Sequence, residues 1–348
     1  MPERVLVVAP NWLGDAVMAL PALADVKRHV AHARVIVAAR PSVAPLYALA
    51  PAADDVLTLR WRGAPFDRPA MRDDVARLAA AAADVAVLFP NSFASAWLVR
   101  AAGVPERWGY AADLRTPLLS RSVRRPRRSV HQGTYYQHLV RELGIANGPL
   151  EPCLDVPSSA VDAARELLVS RGWDGMRPLL VVAPGAAYGT AKRWLPAHFA
   201  ALVTRAARER HAQCVLVGSA GDRETTGWIV RSVDARLRGA VIEATGATSL
   251  ETLAGVMRLA AACVTNDSGA MHLAGAVGVP LAALFGPTRE YETSPLTRQG
   301  GRSEVLIHPV WCRPCMLREC PIDHRCMARL SPERVFASVD TLMNGAAR

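Results

Sequence analysis

The sequence predicts an α/β protein with two doubly wound parallel sheets, one in each half of the chain. In both halves, short apolar runs alternate with segments of helix length, which is the pattern of successive β-α-β units. A length of 348 residues suits two domains, and a composition of 51% hydrophobic and 21% charged residues supplies enough apolar surface for two cores. Disorder is therefore excluded as the dominant state.

Continuous apolar runs mark the strands, because parallel strands are covered by helices on both faces. In the first half we predict strands at 5–8, 34–39 and 84–89, and helices at 15–30 and 92–102. In the second half we predict strands at 179–183, 214–218, 240–244, 263–266 and 281–285, with helices at 196–210, 222–233, 250–261 and 269–278. Thr248 and Glu251 have the spacing of a capping box that opens one of these helices.

Prolines between residues 148 and 178 mark the joint between the halves, which includes one more predicted helix, 160–171. We place the first domain at 1–155 and the second at 156–330, the latter with a cysteine-rich segment at 308–330. A final helix over 331–348 starts with proline at its first position. Its apolar stripe must dock on another element, and we expect it to pack on the first domain.

The formal net charge is +10, and nearly all of the positive charge is arginine, since Lys27 and Lys192 are the two lysines of the chain. This excess favours an acidic partner such as phosphate, nucleic acid or anionic lipid. Residues 1–8 do not have the pattern of a signal peptide. We therefore expect a cytoplasmic protein whose seven cysteines are reduced thiols or metal ligands.

The loops that follow strands are the candidate sites, because doubly wound sheets bind ligands outside the carboxyl ends of their strands. After the first strand, Gly14 permits a close backbone approach and Asp15 lies at a helix start. Asp15 is either a helix cap or a general base for a hydroxyl nucleophile.

The loop at 184–194 contains two glycines, a hydroxyl and adjacent cations before a helix. This composition suits phosphate binding, although the spacing is not that of a Walker A motif. Its candidate residues are Gly185, Thr190 and Lys192, and the alternative for Lys192 is a solvated cation.

Two further loops follow strands of the second half. Gly218 and Asp222 come after one strand, where an acid either holds ribose hydroxyls or caps the next helix. After another strand, Asp-Ser-Gly leads directly into an apolar helix, so backbone N–H groups and the helix N-terminus would point at an anion. The candidates there are Asp267, Ser268, Gly269 and His272; a histidine of the hydrophobic core is the alternative for the last.

The four loops above and the turn at 285–288, which follows the last predicted strand, resemble in order the motifs of the ADP-heptose:lipopolysaccharide heptosyltransferases of glycosyltransferase family 9. The matching segments are 11–15, 184–194, 218–222, 265–274 and 285–288. Pro90-Asn91-Ser92-Phe93 and His131 with Tyr135-Tyr136 also look like the acceptor-domain pattern of the heptosyltransferase II subgroup. The resemblance runs from residue 5 to about residue 345. It implies a GT-B fold, in which two Rossmann-like domains face each other across a cleft.

The resemblance implies an inverting transfer of heptose from ADP-heptose, held by the second domain, to the first heptose of a lipid A-linked inner core, held by the first domain. No cofactor is required for this catalysis. Asp15 matches the catalytic base, and Lys192 matches the lysine that contacts the donor phosphates. The other donor-site matches are Gly14, Gly185, Thr190, Gly218, Asp222, Thr248, Asp267, Ser268, Gly269 and His272; on the acceptor side they are Asn91, Ser92 and His131.

Residues 121–128 contain five arginines and no acid. We expect Arg124 and Arg125 to contact acceptor phosphates or the anionic membrane surface, where each cation contributes about 1 kcal/mol. The alternative is a solvated basic loop. We expect the protein to be a monomer that associates peripherally with the inner face of the inner membrane.

A cluster of four thiols within fifteen residues follows the pattern C-x2-C-x4-C-x5-C. It is compatible with a structural zinc site, since tetrahedral thiolate sites often contain a C-x2-C pair. An iron–sulfur cluster and free thiols are the alternatives, and no catalytic role is expected. The residues are Cys312, Cys315, Cys320 and Cys326.

Two other functions stay open at this point: another GT-B nucleotide-sugar enzyme with a different acceptor, and a basic, zinc-containing nucleic-acid-binding protein. Against the second, the basic residues are scattered and the aromatic content is 6%, with no recognisable stacking motif. Nucleic acid is therefore not expected as a partner.

Overall fold

The computed structural model describes residues 2–63 and 67–345. The chain divides into two compact units, Met1–Asp155 and Val156–Arg348, and each contains one six-stranded parallel sheet. No helix in the described part of the chain is both long enough and apolar enough to cross a membrane.

The first unit alternates strands and helices in the predicted way. Its strands are β1 (Arg4–Val8), β2 (Arg34–Ala39), β3 (Asp55–Thr58), β4 (Val85–Leu88), β5 (Glu106–Tyr110) and β6 (Arg121–Val123). Its helices are α1 (Leu13–Met18), α2 (Leu20–His29), α3 (Ala44–Ala48), α4 (Arg68–Ala80), α5 (Phe93–Ala101) and α6 (Gln132–Glu142). The strand order is β3-β2-β1-β4-β5-β6.

The second unit begins with a helix and repeats the alternation. Its strands are β7 (Leu179–Ala183), β8 (Gln213–Leu216), β9 (Val241–Glu243), β10 (Ala262–Asn266), β11 (Leu281–Phe285) and β12 (Ser303–Ile307). Its helices are α7 (Ser158–Ser170), α8 (Pro196–Glu209), α9 (Arg223–Ser232), α10 (Leu250–Leu259), α11 (Gly269–Val277), α12 (Glu290–Thr293), α13 (Arg325–Ala328) and α14 (Pro332–Gly345). The strand order is β12-β11-β10-β7-β8-β9.

Both sheets have the same topology. When the strands of each unit are numbered one to six along the chain, both orders read 3-2-1-4-5-6, the order of a doubly wound dinucleotide fold. The order reverses between β1 and β4 in the first sheet and between β7 and β10 in the second. Such a reversal opens a crevice at the carboxyl ends of the two strands, and the candidate loops begin there.

The strands that the sequence did not reveal are β3, β5, β6 and β12. Three of them, β3, β6 and β12, are edge strands, and their side chains are mostly half-buried or exposed. An edge strand needs no continuous apolar run, because part of it faces water. The internal strand β5 was not predicted for another reason: its sequence Glu-Arg-Trp-Gly-Tyr contains charged residues and a glycine and so has no continuous apolar run.

Two local predictions about helices are corrected. The segment predicted as one helix over 15–30 is two helices that meet at Ala19, with Pro21 in the first turn of the second; proline has no N–H to continue the preceding helix. The N-cap of α10 is Ser249, whose hydroxyl accepts a hydrogen bond from the Thr252 amide at 3.0 Å. The capping box predicted from Thr248 is therefore wrong by one residue.

We had expected the final helix to pack on the first unit, but its apolar residues pack on the second unit. The apolar residues of α14 join the core formed by α8, β10 and β11, because those strands present an uncovered apolar face to it. Val335 and Val339 are fully buried there. Residues 346–348 of the predicted helix lie outside the described residues.

Candidate active site

The second unit holds Lys192 in an ion pair at the carboxyl edge of its sheet. Lys192 lies in a 3₁₀ turn, Thr190–Lys192, within the loop that follows β7. Its ammonium Nζ is 2.6 Å from Oδ2 of Asp267, the residue after β10, and the two side chains are 13% and 4% exposed. The Thr288 hydroxyl donates to the same carboxylate oxygen at 2.6 Å. The alternative of a solvated cation is thus excluded for Lys192.

Next to this ion pair is the N-terminus of α11. Ser268 is its N-cap, in an extended conformation, and its hydroxyl lies 3.1 Å from that of Thr265. Ser268 and Gly269 are half-buried, whereas the rest of the helix from Met271 to Val277 is buried. The free N–H groups of a helix N-terminus attract negative charge. A cation and a helix N-terminus therefore lie together at this edge of the sheet.

The loop at 184–194, here called the donor loop, is held to the end of β10 by Asn266. The Asn266 side-chain oxygen accepts from the Trp194 amide at 2.9 Å, and its Nδ2 donates to the Pro184 carbonyl at 2.7 Å. Asn266 is fully buried. Sequence reasoning quoted this residue within a motif but gave it no role; the signal was a polar residue at the end of an apolar strand.

Asp222 completes a capping box on the short 3₁₀ turn Ala220–Asp222, and its side chain makes no capping hydrogen bond to the following helix α9. Its Oδ2 accepts from the Ser219 amide at 2.9 Å and from the Ser219 hydroxyl at 2.7 Å, and its Oδ1 is 3.6 Å from Nη2 of Arg193. The carboxylate packs against two candidate glycines: a Cβ at Gly185 would lie 2.6 Å from Oδ2, and one at Gly218 would lie 3.0 Å away. These glycines therefore make room for Asp222 itself.

Three other donor-side candidates lie in the donor loop, in α11 and before α10. Thr190 is exposed in the turn that contains Lys192, and His272 is buried in the first turns of α11. Thr248 is half-buried in the loop before α10.

The outer side of the donor loop is attached to residues 312–326, here called the cysteine segment. The Ala191 amide donates to the Arg318 carbonyl at 2.9 Å, and Nε2 of His324 lies 2.7 Å from the Ala191 carbonyl. The Tyr188 hydroxyl donates to the Met316 carbonyl at 2.9 Å. The Tyr188 ring also faces Nζ of Lys192, which is 4.9 Å from its centroid, a cation–π distance.

The four cysteines of this segment line one small cavity, together with Ala191 and His324. Burial, with a further contribution from the other three thiols, raises the pKa of the Cys326 thiol. The His324 amide donates to Sγ of Cys320 at 3.3 Å. Within the described ranges, 2–63 and 67–345, no three His, Cys, Asp or Glu side chains form a ready-made metal site.

In the first unit, Asp15 lies in the first turn of α1, directly after β1, with Gly14 beside it. Trp12 is the N-cap of this helix, so the capping alternative for Asp15 does not hold. Burial raises the pKa of the Tyr136 hydroxyl well above its usual value, and the charge of Asp15 raises it further. The Asp15 carboxylate therefore lies near a buried phenol and the core.

The acceptor-side candidates largely bond to their own unit. Asn91 donates through Nδ2 to the Tyr135 hydroxyl at 2.9 Å. The Ser92 hydroxyl accepts from the Ser95 amide at 3.3 Å and caps α5. Nδ1 of His131 accepts from the Gly133 amide at 3.1 Å and caps α6. Helix capping explains why Ser92 and His131 stand at these positions, and it does so just as well as acceptor binding would.

Exposed and buried arginines both lie near the carboxyl edge of this sheet. Arg124 and Arg125 are exposed, directly after β6. Arg115, which sequence reasoning missed, is fully buried; it donates to the Tyr110 carbonyl at 2.9 Å and to the carbonyl of Pro90. Burial lowers the pKa of Arg115 to about 10. A buried arginine thus fixes the loop that carries Asn91.

Comparison with known proteins was made after this geometry was established. A family model described as glycosyltransferase family 9 (heptosyltransferase) matches residues 74–325. The chain is 29% identical to lipopolysaccharide heptosyltransferase 2 of Salmonella typhimurium in a gapped alignment of 308 positions, which covers 85% of this chain and 86% of that protein. It is 28% identical to lipopolysaccharide heptosyltransferase 2 of Escherichia coli in a gapped alignment of 352 positions, which covers 98% of this chain and 98% of that protein.

A solved structure shows the same likeness in three dimensions. The structure of E. coli ADP-heptose LPS heptosyltransferase II superposes with a TM-score of 0.85 at 26% sequence identity. The superposition covers 99% of this chain and 100% of that chain.

Proposed function

The chain belongs to glycosyltransferase family 9, the heptosyltransferases, and on this premise we propose that it moves L-glycero-D-manno-heptose from ADP-heptose to the first heptose of the lipopolysaccharide inner core. The observation that carries the proposal is the pairing of Lys192 with Asp267 at the N-terminus of α11. A diphosphate leaving group requires such a place, because its negative charge increases as the sugar departs. The similarity to heptosyltransferases 2 from two bacteria supports the choice of sugar and acceptor.

The donor would bind to the second unit. One N–H of the Lys192 ammonium bonds Asp267, and its remaining N–H groups would donate to the diphosphate oxygens. The amides around Ser268 and Gly269 would add a second set of donors. Asp267 would then orient Lys192, since Lys192 and Thr288 both contact Oδ2 of its carboxylate.

The acceptor would bind to the first unit. Asp15 would take the proton of an acceptor hydroxyl while that oxygen attacks the anomeric carbon of the donor. The bond from the anomeric carbon to the diphosphate oxygen breaks in the same step, and ADP leaves with the electron pair. A single displacement of this kind inverts a β-linked donor to an α-linkage. General-base assistance typically contributes about 10²–10⁴ in rate.

We propose that exposed arginines of the first unit contact the lipid-linked acceptor. Arg124 and Arg125 are exposed, and acceptor phosphates or an anionic membrane surface would attract them. We place the protein on the cytoplasmic side of the inner membrane as a peripherally bound monomer.

We propose that the cysteine segment has a structural role. A zinc ion bound by Cys312, Cys315, Cys320 and Cys326 would require the four thiols to turn into the cavity that they share. Such an ion would fix the segment that holds Tyr188 and Ala191. Metal analysis of the purified protein should give about one zinc per chain by this account. A metal-free protein with four thiols open to alkylation and unchanged ADP affinity would contradict it.

The proposed reaction is tested by incubating the protein with ADP-heptose and a lipopolysaccharide core truncated after its first heptose. Mass spectrometry should show the acceptor heavier by one heptose, together with release of ADP. A core that lacks heptose is the control and should remain unchanged. ADP binding with no mass increase on this acceptor would favour another nucleotide-sugar enzyme. Binding of RNA without binding of ADP would favour a nucleic-acid-binding protein.

A further inference from the structure

We infer that Asn266 is a positioning residue for the donor: one buried amide fixes both ends of the donor loop and so sets the position of Lys192. The inference deepens the proposed function and depends on the donor loop binding ADP. Asn266 contacts the loop backbone, and its effect on the donor would be transmitted through that loop.

The two hydrogen bonds of Asn266 reach opposite ends of the loop. The loop leaves β7 at Pro184, whose carbonyl accepts from Nδ2 at 2.7 Å, and it returns at Trp194, whose amide donates to Oδ1 at 2.9 Å. Trp194 is itself buried, and its indole N–H donates to the Leu330 carbonyl at 2.8 Å. The Trp194 end of the loop is therefore held in the core of the second unit.

The residue type follows from these two partners. Asn266 must accept one hydrogen bond from an N–H and donate one to a carbonyl, and a primary amide does both in one planar group. A carboxylate could accept from Trp194, but it would place a second acceptor against the Pro184 carbonyl. A buried group left without its partner costs roughly 1–3 kcal/mol.

Asn266 also couples the loop to the ion pair. It is the last residue of β10, and Asp267, the partner of Lys192, is the next residue. Lys192 lies two residues before the Trp194 anchor. The same strand end therefore fixes the lysine and the carboxylate that orients it, and loss of the anchor should separate them.

A matched control exists at the opposite edge of the same sheet. Gln213 begins β8 and is fully buried. Its Nε2 donates to the Gly172 carbonyl at 2.8 Å and its Oε1 accepts from the Asp174 amide at 3.0 Å. Asn266 and Gln213 thus have the same burial and the same kind of bonds, but Gln213 lies at the amino ends of the strands.

The test compares Asn266→Ala with Gln213→Ala in the full-length protein. Both variants should lose a similar amount of thermal stability, since each removes two buried hydrogen bonds. Only Asn266→Ala should weaken ADP binding, by about tenfold in Kd measured by calorimetry, and only it should speed amide hydrogen exchange across 185–194. Gln213→Ala should keep the ADP Kd within about twofold of wild type.

Asn266→Asp supplies a second variant in case the alanine variant does not fold. It keeps the acceptor for Trp194 and loses the donor for Pro184, so its ADP Kd should also rise. Unchanged ADP affinity and unchanged exchange in the folded Asn266 variants would show that the residue only stabilises the fold. If wild-type protein fails to bind ADP, the proposed function is wrong, whereas faster loop exchange in the variants would still support the anchoring.

Discussion

The two units share one strand order, 3-2-1-4-5-6, but their carboxyl edges are built differently. In the second unit the polar residues hold one another: Lys192 pairs with Asp267, and Asn266 fixes the loop that carries Lys192. In the first unit, Ser92 and His131 cap helices and the arginines after β6 extend into solvent. The same scaffold therefore carries one rigid polar cluster and one open basic edge.

This difference corresponds to the two substrates proposed above. A nucleotide diphosphate is a small ligand of fixed charge, and fixed donors stabilise its departure without reorganisation at the moment of reaction. A lipid-linked saccharide is large and lies at a membrane, whose anionic surface attracts exposed cations. The comparison predicts three effects of decreasing size.

The largest effect is expected at Asp15, the residue of the first unit that would take part in the chemistry. Asp15→Asn preserves the shape of the side chain but cannot accept the proton, so kcat should fall by about 10²–10⁴. The ADP Kd should remain at the wild-type value, because the donor binds to the other unit. Steady-state kinetics and calorimetry measure the two quantities. Full activity in this variant would remove Asp15 from the mechanism.

A smaller effect is expected from Lys192→Ala, on donor binding. Loss of the cation should raise the ADP Kd by about 10- to 100-fold, since charge-assisted hydrogen bonds contribute about 1.5–3 kcal/mol. Lys27→Ala is the matched control, because Lys27 is the other lysine of the chain and is likewise paired, with Asp54. An ADP Kd that changes equally in both variants would show that the second unit does not bind the diphosphate through Lys192.

The smallest effect is expected from reversing the charge of Arg124 and Arg125 to glutamate. The acceptor KM should rise several-fold and the ADP Kd should not change, because exposed charges act weakly and through water. The effect should also shrink as salt is added. Reversal of Arg68 and Arg72, exposed on α4, gives the same change of net charge. An equal rise of KM in the control pair would mean that overall charge, and no local site, is responsible.

Much of the fold was predictable because buried parallel strands require continuous apolar runs. The runs at β1, β7 and β11 are visible without any structure, whereas the edge strands β3 and β12 are half exposed and carry no such pattern. The docking of α14 was predicted wrongly. Its apolar stripe shows that it must be covered, but a one-dimensional pattern does not identify the covering surface.

The sequence by itself determined the two α/β sheets, the position of the candidate loops after strands, and the rarity of lysine that singled out Lys192. Only the tertiary structure decided which polar side chains meet. Asn266 and Pro184 are 82 residues apart in the chain, and the hydrogen bond between them exists because parallel pairing brings the ends of β7 and β10 together. Likewise, Lys192 and Asp267 lie in separate loops, and they form an ion pair because these loops follow the adjacent strands β7 and β10. Burial of an acid, an amide or an arginine is affordable only with a partner, and the fold supplies that partner.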